Sequence, residues 1–374
     1  MRWGSPTRHL GLAVVAMFVV AACGSSNSGG SASCSESQAK TATSASACGG
    51  MSALVAAAKA EGKLNVIALP RDWANYGKEL DTFHSMYGID ITSDNPDGSS
   101  QQEVDAIKQL GGTSRGPDVV DVGMAVALAN TSLFTPYKVA TWDDILAGQK
   151  ESTGLWFQDY GGFMSVGYDS AKVPAITSLD DLLMPAYRGK VALNGNPKQA
   201  NAALNGVMMA SLAEGGSLDD ISKGVDFFHR LKQAGTFVPV QATTATVKNG
   251  TTPVVFDWDY LSAAHGKDVP GWKVFVPANA VLGGYYAQAI SKTAPHPAAA
   301  RLWEEFLYSD QGQNIWLQGL ARPVRQAAMQ TSGKIDAAAA AALPPVNGTP
   351  QFLSPDQATA AKNYVVAHWD AAIS

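Results

Sequence analysis

Three features of the sequence predict an α/β fold arranged as two lobes, each a doubly wound mixed sheet. Strand, loop and helix follow one another three times between Lys63 and Asn130, the pattern of a sheet with helices on its faces. The chain has 374 residues, and a domain usually takes roughly 100 to 200. Farther on, the apolar run Val254-Val255-Phe256 ends in Asp257-Trp258-Asp259-Tyr260, two carboxylates interleaved with two large aromatic rings.

That last stretch carries the clearest functional signal. Val254, Val255 and Phe256 read as a buried strand, and carboxylates at its end need a cavity or partners. Alternation at period two sets Asp257 and Asp259 on one side and Trp258 and Tyr260 on the other, unless a loop breaks it. Acid beside aromatic surface suits a small organic cation, because carboxylates give charge-assisted hydrogen bonds and ring faces attract ammonium groups. The alternative is a strand end whose acids cap the next turn while Trp258 fills core.

Composition narrows the classes. With 46% hydrophobic and 16% charged residues and a net charge of -5, the chain is globular and lacks the basic face of a nucleic-acid binder. Arg2 and Arg8 precede an apolar run from Leu10 to Ala22 that, at 13 residues, is shorter than the ~20 a membrane span needs. Val20-Ala21-Ala22-Cys23 supplies the small residues of a cleavage site, and the whole looks like a bacterial lipoprotein signal. Residues 1–22 are therefore expected to be removed and Cys23 to be lipidated, anchoring the chain to the outer face of the cell membrane. Residues 23–50, mostly Gly, Ser, Ala and Thr, read as a flexible tether. Cys34 and Cys48 within it are candidates for a local disulfide, and without a neighbouring His they are no metal site.

The folded elements follow in order. Residues 51–62 form an alanine-rich helix with Ser52 as N-cap and Gly62 as stop. Strand 63–69 leads through Pro70-Arg71-Asp72-Trp73-Ala74-Asn75-Tyr76 into a helix capped near Asn75 and ending at Gly88. The unit recurs as strand 89–93, loop 95–100 and helix 101–110, then as strand 117–122 followed by Gly123-Met124 and a helix to Asn130. Ligands of open α/β folds sit at the carboxyl ends of such strands, so Trp73, Asn75, Tyr76, Ser99, Ser100 and Met124 are candidate ligand residues.

In the second part, Tyr160-Gly161-Gly162-Phe163-Met164-Ser165-Val166-Gly167-Tyr168 is a strand whose glycines allow bending or close approach, and Tyr160 joins the candidates. Asn196 and Gln199 lie in the loop after strand 190–193, before helix 200–214, and their amides both donate and accept. Residues 217–234 form an amphipathic helix with Ser217 as N-cap and Asp220 at the capping-box position, burying Phe227, Phe228 and Leu231. Strand 272–277, strand 283–290 with Tyr285 and Tyr286, one long helix over 298–317 and a terminal helix over 357–373 complete the chain.

Leu64-Asn65-Val66 leading to Trp73-Ala74-Asn75-Tyr76, then Ser99-Ser100 and Pro117-Asp118-Val119-Val120, resembles the N-terminal lobe of the solute-binding proteins of ABC importers. It is most similar to the polyamine-binding (spermidine/putrescine) branch, whose relatives carry ferric iron, thiamine or aminoethylphosphonate. The 160–168 strand, the pattern Pro185-Ala186-Tyr187-Arg188-Gly189-Lys190 and the stretch HPAAARLWEEFLYSDQGQ continue the likeness, over about residues 52–325. The resemblance implies a type II periplasmic-binding-protein fold with two hinge strands: residues 51–162 and 283–330 as one lobe, 163–282 as the other, and 331–374 as a C-terminal linker and helix. It implies a monomer that needs no cofactor and presents its solute to an ABC permease and its ATPase. The aromatic loop at Trp73 and Tyr76 would help enclose an amine. Where polyamine binders tend to place acids, Asn196 and Gln199 stand here, which suits a polar or zwitterionic solute. Adjacent Tyr285 and Tyr286 resemble the phenolate pair of ferric-binding relatives, or serve as hinge residues that touch the solute.

Enzymatic chemistry finds little support. Gly112-Thr113-Ser114-Arg115-Gly116 fits G-x-S-x-G, but follows a helix and precedes a strand, the reverse of a nucleophile elbow. The 6 histidines are scattered and no metal-ligand spacing occurs. A secreted hydrolase using Asp257 and Asp259 is the rival of another class, although neighbours on one strand do not flank a bond from opposite sides. A receptor-coupled sensor would use the same fold and binding. The expected function is capture of a small cationic or zwitterionic amine between Trp73, Tyr76 and Ser99 on one lobe and Asn196, Asp257 and Trp258 on the other.

Overall fold

The computed structural model describes residues 33–374. The expected signal peptide and the lipidation site Cys23 lie outside them. The strands are β1 (Lys63–Ile67), β2 (Asp90–Asp94), β3 (Val119–Gly123), β4 (Phe134–Thr135), β5 (Phe157–Asp169), β6 (Val191–Leu193), β7 (Val254–Trp258), β8 (Trp272–Phe275), β9 (Leu282–Ser291), β10 (Arg322–Pro323) and β11 (Gln351–Phe352).

The three N-terminal units do not share one ladder. β1 and β2 pair in parallel, but β3 lies antiparallel to β9, with Val119 opposite Ile290 and Gly123 opposite Tyr286. Asn65 and Asp118 connect the two groups: the Asp118 N–H donates to the Asn65 carbonyl at 2.9 Å, and the Asn65 N–H donates to Asp118 Oδ2 at 2.7 Å.

β5 holds the larger sheet together. Its first half pairs with β9, and its second half runs between β7 and β8, with Met164 opposite Trp258 and Val166 opposite Phe275. β6 extends this half in parallel to β7. The glycines of β5 serve close approach. A Cβ at Gly161 would stand 2.1 Å from the Gly284 carbonyl oxygen, and one at Gly162 would stand 2.4 Å from Asp259 Oδ1.

Several elements differ from expectation. Residues 33–50 are not a tether throughout: Ser35 caps a helix over Glu36–Thr41, and Ala39, Ala42 and Cys48 are buried. Small side chains let this segment sit close to the Pro297–Leu307 helix, where the Arg301 guanidinium donates to the Lys40 and Ala42 carbonyls. Cys34 and Cys48 form a disulfide. The helix expected over 217–234 is Ser222–Gln233, because Ser217 accepts from the Asp219 N–H in a preceding turn and Asp220 Oδ1 accepts from Ser222. The single helix expected over 298–317 is two, Pro297–Leu307 and Asp310–Gln318, the second capped by the Ser309 hydroxyl. The first alanine-rich helix is Met51–Glu61, with Gly50 and not Ser52 at its N-cap. The C-terminal helix Pro355–Ile373 buries Val365 and Trp369, and the Trp369 ring packs on Phe228 and Phe237.

Candidate functional site

The carboxyl end of β1 and the amino end of the Ser100–Leu110 helix face the loops after β6 and β7 across a cleft of about 360 Å³. The loop after β1 turns through left-handed backbone at Ala68, Ala74 and Asn75 and so brings Trp73 to the cleft. The two walls meet closely: a Cβ at Gly123 would stand 2.3 Å from the Cβ of Asn201. A long hydrogen bond of 3.4 Å runs from the Gln101 N–H to the Gln199 carbonyl.

Aromatic rings and buried carboxyl groups make the floor. The Tyr160 hydroxyl accepts from Trp73 Nε1 at 2.9 Å and donates to Asp121 Oδ2 at 3.1 Å. Its ring stacks on Tyr286, centroids 5.8 Å apart, and Trp73 meets Tyr286 edge-on at 6.1 Å. Tyr76 supports Asp121 by donating its hydroxyl proton to the same Oδ2 at 2.8 Å. On the facing wall, Asp257 Oδ1 accepts from Asn194 Nδ2 at 2.9 Å and from the Trp258 N–H at 2.8 Å.

These acids have no countercharge close at hand. Asp121 and Asp257 form no ion pair among the described residues, and burial pushes each carboxyl up to about 7. Glu103, whose Oε2 accepts from the Asp121 N–H at 2.9 Å, is raised well above the usual range, first by burial and then by Asp121. His265 is pushed down to about 4 by burial, so it stays neutral near pH 7. Arg71 at the rim is bound to Asp81. Chemically the cleft offers carboxyl oxygens, ring faces, and amides from Asn194, Asn196 and Gln199.

Residues 117–358 match the sequence profile of the bacterial extracellular solute-binding proteins. The chain belongs to this family. Solved structures share the fold at low identity. AfuA from Actinobacillus pleuropneumoniae, with exogenous fructose-6-phosphate bound, superposes with a TM-score of 0.65 at 15% identity, over 83% of this chain and 98% of that one. A putative spermidine/putrescine ABC transporter protein from Listeria monocytogenes gives 0.62 at 12%, over 83% and 99%. Iron-bound HitA from Pseudomonas aeruginosa gives 0.60 at 19%, over 82% and 98%. The architecture is thus the α/β periplasmic-binding-protein fold. This solute-binding protein is a non-enzymatic, extracytoplasmic component of ABC transport that binds a small solute.

Of the residues singled out in its sequence, Trp73, Asn75, Ser99, Ser100, Tyr160, Asn196, Gln199, Asp257 and Tyr286 line the cleft. The two serines are already engaged: Ser99 Oγ caps the helix through the Gln102 N–H, and Ser100 Oγ accepts from the Gly123 N–H. Asn75 stands at the N-cap of its helix, but its side chain donates to the Ile315 carbonyl and makes no cap bond.

Six candidates do not line it. Tyr76 lies beneath Asp121, and Met124 packs with the apolar cluster around Val120 and Val126. β7 stops at Trp258 and a helix starts at Asp259, so the period-two alternation fails there. Trp258 is buried behind Tyr286 and donates Nε1 to its hydroxyl at 3.2 Å, while Tyr260 packs between Trp258 and Tyr160. Asp259 accepts from the Phe163 N–H and pairs with Arg322, which removes the carboxylate pair a hydrolase would need. Tyr285 packs on Phe352, on the other face of β9 from Tyr286.

Sequence reasoning passed over Asp121, Glu103, Asn194 and Asn201. Asp121 carried a usable signal, an acid interrupting an apolar strand, the same feature that marked Asp257. For Glu103, one acid on an amphipathic helix, there was none.

Proposed function

We propose that this solute-binding protein captures a small cationic or zwitterionic amine by closing two lobes on it, residues 51–162 with 283–330 and residues 163–282, and delivers it to a permease and its ATPase. Anchored through Cys23, it works as a monomer at the outer face of the membrane. The observation that carries this reading is the pair Asp121 and Asp257. They lie on opposing walls of one cleft, buried and without an ion-pair partner among the described residues, beside Trp73, Tyr160 and Tyr286. An ammonium group there gains two charge-assisted contacts and the ring faces, and its differential affinity for the closed form supplies the free energy of closure. Ferric iron is served less well, since Tyr285 and Tyr286 face apart and leave one phenol at the cleft.

Thermal melting with putrescine, spermidine, amino acids, aminophosphonates, thiamine, sugars and ferric citrate tests the proposal. A ligand at ~100 times its Kd adds about 2.7 kcal/mol. An amine is expected to raise the melting temperature, and Asp121→Asn and Asp257→Asn to abolish the rise. A shift only with sugars or ferric citrate would overturn the amine assignment and leave the transport role standing.

A further inference from the structure

Behind the cleft wall the fold buries a group of acids that form no ion pair among the described residues, Lys78 alone acting on Glu79 from outside the group. Asp121 and Glu103 reach the cleft, whereas Asp159, Glu79 and Glu304 are wholly enclosed. A chain of hydrogen bonds leads inward: the Tyr76 hydroxyl donates to Asp121 Oδ2, and Gln288 Nε2 donates to that hydroxyl at 3.0 Å and to Asp159 Oδ2 at 2.9 Å. The groups facing Asp121 come from every packed element: Tyr76 on the Tyr76–Tyr87 helix, Glu103 on the Ser100–Leu110 helix, Asp159 and Tyr160 on β5. Tyr286 on β9, Tyr260 after β7, and Glu304 and Tyr308 at the Pro297–Leu307 helix complete the set. All are acids or phenols.

The orphaned oxygens say what state this group adopts. Asp121 Oδ1 and both carboxyl oxygens of Glu79 and Glu304 are buried without a hydrogen-bond partner among the described residues. Several ionised carboxylates cannot stand together in a dry interior without donors or cations, so the group retains protons while the cleft is empty. We propose that capture of a cationic solute expels a proton from this buried carboxyl group through Asp121, so that solute binding tightens as the surroundings become less acidic. The proposal rests on the amine reading of the cleft.

The exchange balances. A neutral Asp121 carboxyl and a solute ammonium become a carboxylate–ammonium pair and one solvated proton, while Oδ2 keeps its two phenol donors, Tyr76 and Tyr160. Glu79, Asp159 and Glu304 are enclosed, and burial with neighbouring acids raises them and Glu103 well above the usual carboxylate range, so within this group the exchange falls to Asp121. Asp257 on the facing wall, buried in the same way, releases a proton of its own on pairing with the same ammonium. In the range where the empty protein holds such a proton, each unit of acidification weakens cation binding by up to about tenfold per proton released.

The test follows the aspartate carboxyl carbons by NMR in the chain labelled at those positions, from pH 4 to 9, together with calorimetry of spermidine and putrescine binding in two buffers of different ionisation enthalpy. Two resonances titrating near neutrality, one vanishing in Asp121→Asn and the other in Asp257→Asn, with up to two protons released per amine bound, are expected. A single such resonance that survives in Asp121→Asn overturns the role of Asp121. If that variant does not fold, the pH dependence of spermidine affinity in the unaltered chain decides. Amine binding with no buffer-dependent heat and no pH dependence overturns the proton exchange but leaves the amine reading intact. A near-neutral titration with no heat from either amine overturns both.

Discussion

Arg322 Nη1 stands 2.8 Å from Asp259 Oδ2, and both groups are withdrawn from solvent, the aspartate completely. The same guanidinium donates to the Pro344 carbonyl and covers the Phe163 ring at 4.6 Å, so one side chain ties the start of the helix after β7 to β5 and to the C-terminal segment. Asp259 therefore belongs to the scaffold near the crossing strands and Asp257 to the cleft. Arg322→Ala strands a buried carboxylate with only backbone donors, and is expected to destabilise the fold by about 3–5 kcal/mol. Urea denaturation measures it. A loss below about 1 kcal/mol, the range of an exposed pair, would contradict this account.

Adjacent tyrosines give a contrast within one experiment. Tyr286→Phe removes the acceptor of Trp258 Nε1 and a hydroxyl at the cleft, and is expected to weaken amine binding several-fold and lower stability by about 1–2 kcal/mol. Tyr285→Phe, whose ring packs on Phe352, is expected to leave affinity unchanged. Paired calorimetry of the two variants checks this. Equal losses would mean that both phenols reach the solute.

The local elements were legible because their signals are local. β7 and the Tyr76–Tyr87 helix follow from apolar runs and from stops such as Gly88. Pairing was not legible: β3 finds its partner in β9, more than 160 residues away, and nothing within Val119–Gly123 specifies that. Asp257 and Asp259 looked equivalent, yet a strand end one residue earlier than period two assumes put them in different surroundings. The segment 33–50 looked unable to fold because composition counts apolar residues, whereas a disulfide and two hydrogen bonds from the Arg301 side chain hold it in place.

Burial of Asp121 and Asp257 sets a pH dependence of stability. Both are pushed up to about 7, so between pH 4 and 7 the folded chain holds protons that the unfolded chain has released. Their contribution is complete below the ordinary carboxylate range, falls as pH rises towards 7 and levels off above it, by at most ~1.4 kcal/mol per pH unit and group. Asp257→Asn carries no such proton and keeps an acceptor for Asn194 and the Trp258 N–H. Denaturation at pH 5, 6, 7 and 8 should show the variant losing less stability than the unaltered chain and exceeding it at pH 8. A constant difference across this range would show that Asp257 ionises normally.

The N-terminal staple should act locally. Cys34 and Cys48, 14 residues apart, close a loop whose helix packs through Ala39 and Ala42, and a loop of that length is worth about 3 kcal/mol in the chain-entropy account. Arg301 meanwhile gives the segment two of its three hydrogen bonds. Without the disulfide, two small buried alanines and three backbone carbonyls, two accepting from Arg301 and that of Thr43 from the Lys138 N–H, are too little to hold 18 residues in place. Among the described residues none of 33–50 pairs in the β-sheet or lines the cleft. Replacing both cysteines by serine is therefore expected to open residues 33–50 to limited proteolysis while amine affinity stays within about twofold. Protection of the segment in the double variant would mean that packing against the Pro297–Leu307 helix suffices, whereas a loss of affinity would mean that this segment supports the cleft from behind.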